Sequence, residues 1–489
     1  MVANDHTDNL LIQGDSYDAL HALCRIPEYA QQYRGKVKLV YIDPPFNTGQ
    51  SFADYSDSLE HSIWLSMIRE RFLLFRELLS PDATLWVHLD DTEVHRARCL
   101  LDEIFGPSCY LATVVWQRTS AKSLARRTMG TMHESILVYG ATEKAELRPL
   151  YLPLEEEYLK RYSNTDERGQ YDTGDLTAGS HRPHLDSGMP WRGFDPSGIR
   201  RCWAVPRNPL VEVGLTDDQI ASLTMRDKLE ALDDAGYIHW PKKNGGFPRY
   251  KKYLHNTKGR SVGNLWTDIN VINSQAAERT GFSTQKPEAL IERIIAMGSD
   301  PGEIVLDCFA GSGTTATVAH KMHRRWVTVE ALTETADKFT RPRLERVVAG
   351  DDTGGVTKSV EWQGGGGFRS LQIAPSALEV VGERVFLADW LNADDFAEMV
   401  AAQLGFTYSE ADGSPFYGRR GRARLAVVDG VVDEVVARGV IGQLDEGERA
   451  VVVGKGVAPE AEALVRELSP GSKVMKAPRD LIRRGRAVR

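Results

Sequence analysis

The stretch KVKLVYIDPPFNTG (36–49) constrains the fold of this chain more than any other. Its first seven residues form an apolar run that predicts a strand buried on both faces, as in a parallel sheet. Asp43 then stands where the strand ends, and Pro44 and Pro45 stiffen the turn that follows. Ligands of open parallel sheets bind at the carboxyl ends of strands, so this turn is a candidate site.

The surrounding pattern alternates strands with helices, which predicts an α/β sheet. We expect a helix over 61–80, ended by Pro81, and another over 285–299. The apolar runs predict strands at 84–90, 110–117, 135–140, 303–310 and 325–330. The last two of these enclose a turn and helix at 311–323, forming one βαβ unit.

Composition narrows the class of protein. The chain has 489 residues, too many for one hydrophobic core, and its apolar and charged fractions of 42% and 26% are ordinary for a soluble protein. We expect no membrane span and no secretion signal, and hence a cytoplasmic protein. The five cysteines are scattered and show no zinc spacing, so we predict no metal site.

The turn FAGSGTT (309–315) has the form of a cofactor loop. Gly311 and Gly313 permit a tight turn and a close approach of ligand to backbone, and the following helix offers free N–H groups. Glu330 ends the next strand, where a carboxylate can bind ribose hydroxyls. This geometry serves NAD, FAD or S-adenosylmethionine alike; Ala316, at the third glycine position, only mildly disfavours NAD.

The turn DPPF (43–46) carries a more specific chemistry. The Asp43 carboxylate and the Pro44 carbonyl are two acceptors that match the two N–H donors of an aromatic amine. Phe46 offers a flat surface on which a base can stack, worth about 1–3 kcal/mol. A rigid capped turn without any ligand is the structural alternative.

Together the two turns resemble the β class of DNA amino-methyltransferases, in which the catalytic motif precedes the cofactor motif. LIQGDSYDAL (11–20) and STQKPEALIERII (283–295) also resemble segments of that family, and the similarity covers about residues 10–346. In more detail the chain resembles the modification subunit of type III restriction–modification systems, or a relative in a phage-defence operon.

The resemblance implies a Rossmann-like, S-adenosylmethionine-dependent α/β fold acting on duplex DNA. It implies catalysis by Asp43, Pro44, Pro45 and Phe46. It implies cofactor contacts from Asp15, Lys286, Asp307, Phe309, Gly311, Ser312, Gly313, Thr314 and Glu330, with Lys286 near the methionine end. Cytosine-specific members usually carry Ser in place of Asp43, so the expected product is N6-methyladenine. N4-methylcytosine, or an RNA or protein amine product, is the alternative.

The remaining segments predict recognition and assembly. We expect domains at 1–140 and 263–350 for catalysis, a target-recognition insert at 141–262, a linker at 351–367, and a small α/β interaction domain at 368–489. The net charge is −8, but 241–260 holds seven Lys/Arg and no acid, and 116–127 is also basic without an acid. The predicted DNA contacts are Arg118, Lys122, Arg126, Arg192, Arg201, Lys242, Lys243, Arg249, Lys251 and Lys252.

Several alternatives stay open at this point. An NAD oxidoreductase would use the glycine turn but leave DPPF and the basic insert unexplained. An inactive DNA-recognition subunit would not need Asp43. We interpret His133 and Trp191 as structural residues. The C-terminal domain shows no catalytic pattern, and a homodimer contact or a restriction or helicase-like partner subunit are its expected roles.

Overall fold

A computed structural model describes residues 9–47, 50–51, 56–57, 60–119, 129–180, 182–242, 246–381, 384–410 and 413–481. The chain forms two compact units, one made of residues 1–148 with 263–489 and one made of residues 149–262. Residues 141–148, predicted as the start of the insert, thus belong with the first unit. No helix in the described ranges is long and apolar enough to cross a membrane.

Residues 9–148 supply seven strands and four helices. The strands are β1 (Leu10–Gln13), β2 (Val37–Ile42), β3 (Gln50–Ser51), β4 (Ser56–Asp57), β5 (Leu79–Leu89), β6 (Tyr110–Gln117) and β7 (His133–Gly140). The helices are α1 (Ser16–Arg25), α2 (Pro27–Tyr33), α3 (His61–Leu78) and α4 (Val94–Phe105).

Helix α3 forms where its apolar spacing predicts it, and it buries Trp64, Ile68, Phe72 and Phe75. Its end differs from the prediction. The chain leaves the helix at Leu79, whose backbone is extended, and runs directly into β5. Pro81 therefore lies within a strand and does not stop the helix. Pairing of the new strand with β2 outweighs further helix growth.

Residues 149–262 form the second unit, with its own aromatic core of Trp191, Trp203, Tyr237 and Tyr253. Its strands are β8 (Tyr151–Leu152), β9 (Asn164–Asp166), β10 (Gly169–Asp175), β11 (Thr177–Ala178), β12 (Cys202–Trp203), β13 (Ile238–His239), β14 (Arg249–Tyr253) and β15 (Arg260–Ser261). Its helices are α5 (Glu156–Leu159), α6 (Arg207–Glu212), α7 (Asp217–Ser222) and α8 (Met225–Asp234).

Residues 263–350 complete the main sheet. The strands are β16 (Leu265–Trp266), β17 (Ile304–Asp307) and β18 (Arg325–Glu330). The helices are α9 (Glu288–Gly298), α10 (Thr314–Lys321), α11 (Thr333–Thr335) and α12 (Arg341–Ala349), with a π-helical turn at Ala336–Thr340 between the last two.

The C-terminal part contributes β19 (Arg369–Gln372), β20 (Leu378–Val381), β21 (Arg384–Leu387), β22 (Thr407–Tyr408), β23 (Phe416–Arg420), β24 (Ala423–Val432), β25 (Arg449–Val457) and β26 (Lys473–Lys476). Its helices are α13 (Ala393–Leu404), α14 (Glu434–Ile441) and α15 (Ala461–Leu468). Strands β22 to β26 form one five-stranded sheet in chain order. Helices pack on that sheet over two hydrophobic clusters, one around Phe396 and one around Val452.

The main sheet has nine strands in the order β16-β6-β7-β5-β2-β17-β18-β1-β19. Strands β5, β2, β17, β18, β1 and β19 run parallel, while β7 lies antiparallel between β5 and β6. Strands β2 and β17 are far apart in sequence but neighbours in the sheet, with Val40 opposite Leu306. The α/β sheet predicted from the sequence is confirmed.

Residues 351–367, predicted as a linker from their glycines, instead pack on the main unit. Val356 is buried, and its N–H donates to the carboxylate of Glu288 at 3.0 Å. The indole of Trp362 donates to the Val347 carbonyl at 2.8 Å. The adjacent β19, predicted as part of the C-terminal domain, pairs with β1 in the main sheet. Buried polar contacts, which glycine content does not reveal, fix this segment.

Candidate active site

The two sequence turns meet because their strands are neighbours. β2 ends at Ile42, directly before Asp43, and β17 ends at Asp307, directly before the glycine turn. Both turns therefore leave the same edge of the sheet side by side, as expected at a switch point of an open α/β sheet. A cavity of about 950 Å³ opens at this edge.

Most of the predicted site residues line this cavity. They are Asp15, Asp43, Pro44, Pro45, Phe46, Arg118, Lys286, Asp307, Phe309, Gly311, Ser312, Thr314 and Glu330. Gly313 does not line it. Gly313 has a φ of 74°, and a Cβ there would lie 2.9 Å from Thr340 Cγ2. We attribute the glycine at 313 to this close packing and not to ligand contact.

The DPPF turn is held from outside the cavity. The indole Nε1 of Trp64 donates to the Pro45 carbonyl at 2.7 Å. The amide of Asn47 donates to the fully buried carboxylate of Glu93 at 2.8 Å. Within the described residues, neither the Pro44 carbonyl oxygen nor the buried Oδ1 of Asp43 has a hydrogen-bond partner. The turn thus presents two unmatched acceptors.

The other oxygen of Asp43 is occupied. Lys286 Nζ donates to Asp43 Oδ2 at 2.5 Å, and the same ammonium lies 5.1 Å from the centroid of the Phe46 ring. Both side chains are largely buried, with exposed fractions of 10% for Lys286 and 19% for Asp43. The loop before α9 thereby brings a cation onto the DPPF turn.

A second carboxylate lies behind this ion pair. Glu134, at the start of β7, lies 3.9 Å from Lys286 Nζ, 2.8 Å from His88 Nε2 and 2.9 Å from Arg118 Nη1. Burial opposes its ionisation, but Lys286, His88 and Arg118 together hold the pKa of Glu134 well below its ordinary range. His88 in turn lies 2.8 Å from the hydroxyl of Tyr41 through its other ring nitrogen.

The glycine turn forms the opposite wall. Gly311 has a φ of 50°, and a Cβ at this position would lie 3.0 Å from the Phe282 ring. Helix α10 begins at Thr314, directly after this turn. Because Gly311 has no side chain, its backbone can lie close to a ligand that a larger residue at this position would exclude.

Glu330 connects this turn to the end of β18. Its carboxylate accepts from the Gly311 N–H at 2.8 Å and from the Leu332 N–H at 3.0 Å. Burial raises the pKa of Glu330, while these backbone donors oppose the shift. Each carboxylate oxygen keeps further acceptor capacity, which suits the hydroxyls of a ribose.

Asp307 is more deeply buried. Its carboxylate accepts from the Phe309 N–H at 2.9 Å. Burial raises the pKa of Asp307 to about 7, against hydrogen bonds from Thr315 and Phe309 that lower it. Through this bond the Asp307 carboxyl fixes the backbone of the glycine turn at Phe309.

The Asp15 carboxylate caps α1 by accepting from the Tyr17 N–H at 2.7 Å. It also accepts from Arg71 Nη2 at 3.0 Å and 3.1 Å, and Arg71 Nε donates to Ser16 Oγ at 2.7 Å. Arg71 is buried on α3, so it fixes the orientation of an otherwise half-exposed acid at the cavity rim.

A buried ionic cluster supports the glycine turn from behind. The Glu288 carboxylate pairs with Lys321 at 2.9 Å and with Arg343 at 2.7 Å. Arg343 Nη1 also donates to Thr314 Oγ1 at 2.9 Å. This cluster couples α9, α10 and α12 to the first residues of the turn.

The residues predicted to contact DNA do not form one free basic surface in the described structure. Arg118 lies at the cavity, paired with Glu134. Within residues 149–262 several of the cations are already bonded. Arg192 pairs with Glu230 and Asp233, and Arg201 donates to Thr177. Arg249 pairs with Asp175, and Lys251 pairs with Asp166. Lys122, Arg126 and Lys243 lie outside the described residues.

Lys242 and Lys252 have no ion pair within the described residues, and Lys252 lies 5.3 Å from the Tyr250 ring. Trp191 is buried in the core of the second unit. His133 lies at the cavity, 3.7 Å from Asp91. No group of three His, Cys, Asp or Glu side chains in the described ranges could hold a metal ion.

Comparison with known proteins decides the family. A family model described as DNA methylase, covering enzymes of the N6 and N4 type, matches residues 37–341, more than half of the chain. The chain belongs to the DNA methylase family. The match covers both turns and the strands β2 and β17 that carry them, so the sequence resemblance and the Rossmann-like methyltransferase fold are confirmed.

Individual relatives agree with this family. The methylase is 31% identical over 324 residues to the type II methyltransferase M.EcaI of Enterobacter cloacae, covering 65% of this chain and 67% of that protein. It is 29% identical to the probable type III HindVI Mod subunit of Haemophilus influenzae, covering 75% of this chain and 54% of that protein. It is 27% identical to the StyLTI Mod subunit of Salmonella typhimurium, covering 71% of this chain and 58% of that protein.

The methylase therefore spans between about half and two thirds of these relatives. Among solved structures, it matches the cytosine-N4-specific PvuII DNA methyltransferase at 13% identity, 75% and 96% coverage and a TM-score of 0.37. It matches the M1.HpyAVI–SAM complex at 16% identity, 68% and 98% coverage and a TM-score of 0.34.

S-adenosylmethionine, the cofactor predicted from the sequence, is the methyl donor of the family to which the chain belongs. The residues at the cavity fit it. Gly311 leaves space at the cavity that a side chain would fill, and the Glu330 carboxylate stands where ribose hydroxyls need acceptors. Asp15 and Phe309 also line this part of the cavity.

Several functional candidates were missed by the sequence prediction. Glu134, His88 and Tyr41 lie beneath the catalytic turn, and Arg71 and Phe282 line the cavity. His88 sits inside the run 84–90, which was predicted only as an apolar strand, whereas Glu134 directly precedes the predicted strand 135–140. A polar residue inside a buried run is unusual, and that pattern could have drawn attention to His88.

Proposed function

We propose that the methylase transfers a methyl group from S-adenosylmethionine to the exocyclic N6 amine of adenine in duplex DNA. The observation that carries the proposal is the pair of unmatched acceptors at the cavity, Asp43 Oδ1 and the Pro44 carbonyl. A buried acceptor without a partner costs about 1–3 kcal/mol, so a donor from the substrate is the natural complement. A primary aromatic amine brings two donors on one atom.

The two acceptors also account for reactivity. The lone pair of an aromatic amine is delocalised into its ring and is a poor nucleophile. Hydrogen bonds from both N–H groups to Asp43 and Pro44 favour a pyramidal nitrogen with an exposed lone pair. Holding that nitrogen in line can supply several of the roughly 7–11 kcal/mol that positioning contributes to catalysis.

The target base must leave the duplex to reach this edge. Flipping costs a few kcal/mol, and stacking on Phe46 offsets part of that cost. S-adenosylmethionine, when bound, supplies a methyl group on a positively charged sulfur. The amine nitrogen gains the methyl group and loses one proton, and the Asp43 carboxylate is the nearest base to accept it.

The choice of adenine rests on Asp43. Family members specific for cytosine usually carry Ser at this position, and the chain carries Asp. The two acceptors by themselves fit the N4 amine of cytosine as well, because both bases present the same amine donors. N4-methylcytosine is therefore the alternative product.

Nucleoside analysis tests the proposal. Purified protein, unmethylated duplex DNA and cofactor with a deuterated methyl group are incubated together, and the digested DNA is examined by mass spectrometry. We expect labelled N6-methyldeoxyadenosine from the wild type and none from Asp43→Ala. Labelled N4-methyldeoxycytidine would overturn the base assignment. Cofactor binding by Asp43→Ala, measured by calorimetry, shows whether that variant is folded.

We further propose that residues 149–262 recognise the DNA target. The support is the segment 241–260, which holds seven Lys/Arg and no acid, and within it Lys242 and Lys252, which have no carboxylate partner in the described residues. Phosphate contacts release counterions, so binding should weaken steeply with salt. Replacing both lysines by alanine should reduce the slope of log affinity against log salt by about 1–2. An unchanged slope would contradict these two contacts.

We also propose that the methylase works in a restriction–modification or phage-defence system of a bacterial cytoplasm, bound to DNA. Support comes from the relatives described as type III Mod subunits. The C-terminal part would bind a second copy of the chain or a restriction or helicase-like subunit. Mass measurement of the chain alone and with the product of a neighbouring restriction gene tests this assignment.

A further inference from the structure

The ion pair at the catalytic turn places a hydrogen-bond donor beside an acceptor. Lys286 Nζ lies 2.5 Å from Asp43 Oδ2, and Asp43 Oδ1 remains unmatched. Both residues line the cavity, and the ammonium lies next to the Phe46 ring on which a flipped base would stack. The cavity edge therefore presents a paired donor and acceptor to whatever stacks there.

This pattern matches one edge of a base that carries an amine. In adenine and in cytosine the amine is bonded to a carbon whose ring neighbour is a nitrogen with a free lone pair. That edge offers a donor next to an acceptor, the same kind of pairing that an Asn side chain reads on the other edge of adenine, at N6 and N7. An Asp–Lys pair reproduces the acceptor and donor of an Asn side chain, with a charged group on each side.

We propose that Lys286 donates a hydrogen bond to the ring nitrogen next to the target amine while Asp43 accepts from the amine itself. The inference rests on the proposed function and adds the group that sets the orientation of the base. With Lys286 on the ring nitrogen and Asp43 on the amine, the base can lie on Phe46 in one rotation only. The amine nitrogen is then fixed relative to the cofactor side of the cavity.

Glu134 acts as the positioning residue for Lys286. Its buried carboxylate lies 3.9 Å from the ammonium and is itself held by His88 at 2.8 Å and Arg118 at 2.9 Å. While Asp43 accepts a hydrogen bond from the amine, Glu134 still supplies a negative charge near the Lys286 ammonium. The lysine can therefore stay in place beside the base.

The geometry distinguishes this role from a role in cofactor binding. The side-chain partners of the Lys286 ammonium are Asp43 of the β2 turn and Glu134 of β7, on the catalytic side of the cavity. The backbone of the same residue faces the other wall, where its carbonyl accepts from Thr314 Oγ1 at 3.3 Å. The side chain of Lys286 therefore lies where the target base would bind, and its backbone carbonyl contacts the glycine turn that faces the cofactor.

Base analogues test the proposal. Duplexes are made with the target motif found by sequencing. The target adenine is replaced by 1-deazaadenine, which lacks the ring nitrogen bonded to the amine-bearing carbon, or by 7-deazaadenine, which keeps that nitrogen and serves as the control. For the wild type we expect 1-deazaadenine to lower kcat/KM about 10- to 150-fold, the range for a lost hydrogen bond to a charged group, and 7-deazaadenine to leave it nearly unchanged. Equal rates on both analogues and adenine would overturn the proposal without any variant.

Variants assign the effect to the lysine. Lys286→Met should lower kcat/KM on adenine by a similar factor and should no longer distinguish the sensitive analogue from adenine. Lys286→Arg should restore part of both the rate and the discrimination. Glu134→Gln should reduce the discrimination in the same direction. Cofactor affinity by calorimetry should stay within about twofold of wild type in all three.

Other results separate the failures. A methionine variant that still discriminates fully, or one that loses cofactor affinity instead, would contradict base contact by Lys286. If the product is N4-methylcytosine, 3-deazacytosine takes the place of the adenine analogues and the same comparison holds. Absence of methylation by the wild type on any duplex would overturn the proposed function itself, and this inference with it.

Discussion

The Trp64 indole donates a hydrogen bond to the Pro45 carbonyl at 2.7 Å, from the first turn of α3 to the second proline of DPPF. Trp64 is fully buried, so this bond fastens the catalytic turn to the hydrophobic core. It occupies the Pro45 carbonyl, while the Pro44 carbonyl, the proposed acceptor for the substrate amine, has no partner in the described residues.

Trp64→Phe should loosen this attachment. We expect a fall in kcat of about tenfold, with cofactor affinity unchanged, and a loss of about 1–3 kcal/mol in the free energy of unfolding from the unsatisfied carbonyl and the smaller ring. Trp86→Phe is the matched control, because it removes a buried indole bond to Thr84 Oγ1 at 3.0 Å within β5. A similar fall in kcat for both variants would show that the effect is general destabilisation.

Glu330→Gln should weaken cofactor binding. The amide keeps one acceptor oxygen but cannot accept both the Gly311 and Leu332 N–H groups and a ribose hydroxyl with equal strength. Loss of one charged hydrogen bond corresponds to about 1.5–3 kcal/mol, or about 10- to 150-fold in Kd measured by calorimetry. Glu334→Gln, an exposed change four residues away, should leave Kd unaltered.

Glu288→Gln should destabilise the whole unit. It removes the charge that pairs with Lys321 and Arg343 in a fully buried cluster. Breaking a buried ion pair from one side costs about 3–5 kcal/mol, which urea unfolding would record as a lower midpoint. Glu292→Gln, on the same helix but hydrogen-bonded only to Ser359 Oγ in the described structure, is the control and should change the midpoint little.

Asp307 should give stability a distinct pH dependence. Its pKa rises from an ordinary 3.8 to about 7 in the folded protein because it is buried. Between about pH 4 and pH 7 the unfolded chain has released a proton that the folded chain keeps, so the free energy of unfolding falls as pH rises and levels off above 7.

Asp307→Asn should remove that slope, and the difference from wild type across the window should reach a few kcal/mol. Thermal unfolding from pH 4.5 to 8 measures it, with the exposed Asp300→Asn as control. Parallel curves for wild type and Asp307→Asn would contradict the shifted pKa.

Much of this site was predictable from local sequence. The apolar runs located β2 and β17, and residues that follow them, Asp43 and the turn residues Gly311, Ser312 and Thr314, line one cavity as expected. This worked because strand ends, glycine turns and proline turns are determined by a few adjacent residues.

The contacts that cross between elements were not predictable in the same way. Lys286 was expected at the methionine end of the cofactor, and the structure pairs its side chain with Asp43, 243 positions away in sequence. The positions of Glu134 and of the segment 351–367 are also fixed by contacts between residues far apart in sequence, namely an ion pair with Lys286 and a hydrogen bond from Val356 to Glu288. Such pairings depend on the order of strands in the sheet, which a single sequence does not specify.

The most direct test of the central claim is to express the methylase in a bacterial host without adenine methylation and to sequence the host DNA by a method that reads modified bases. The Asp43→Ala variant is expressed in parallel. We predict N6-methyladenine at one short motif with the wild type and unmodified DNA with the variant. Methylation that persists in Asp43→Ala, or modification of cytosine in place of adenine, would contradict the account.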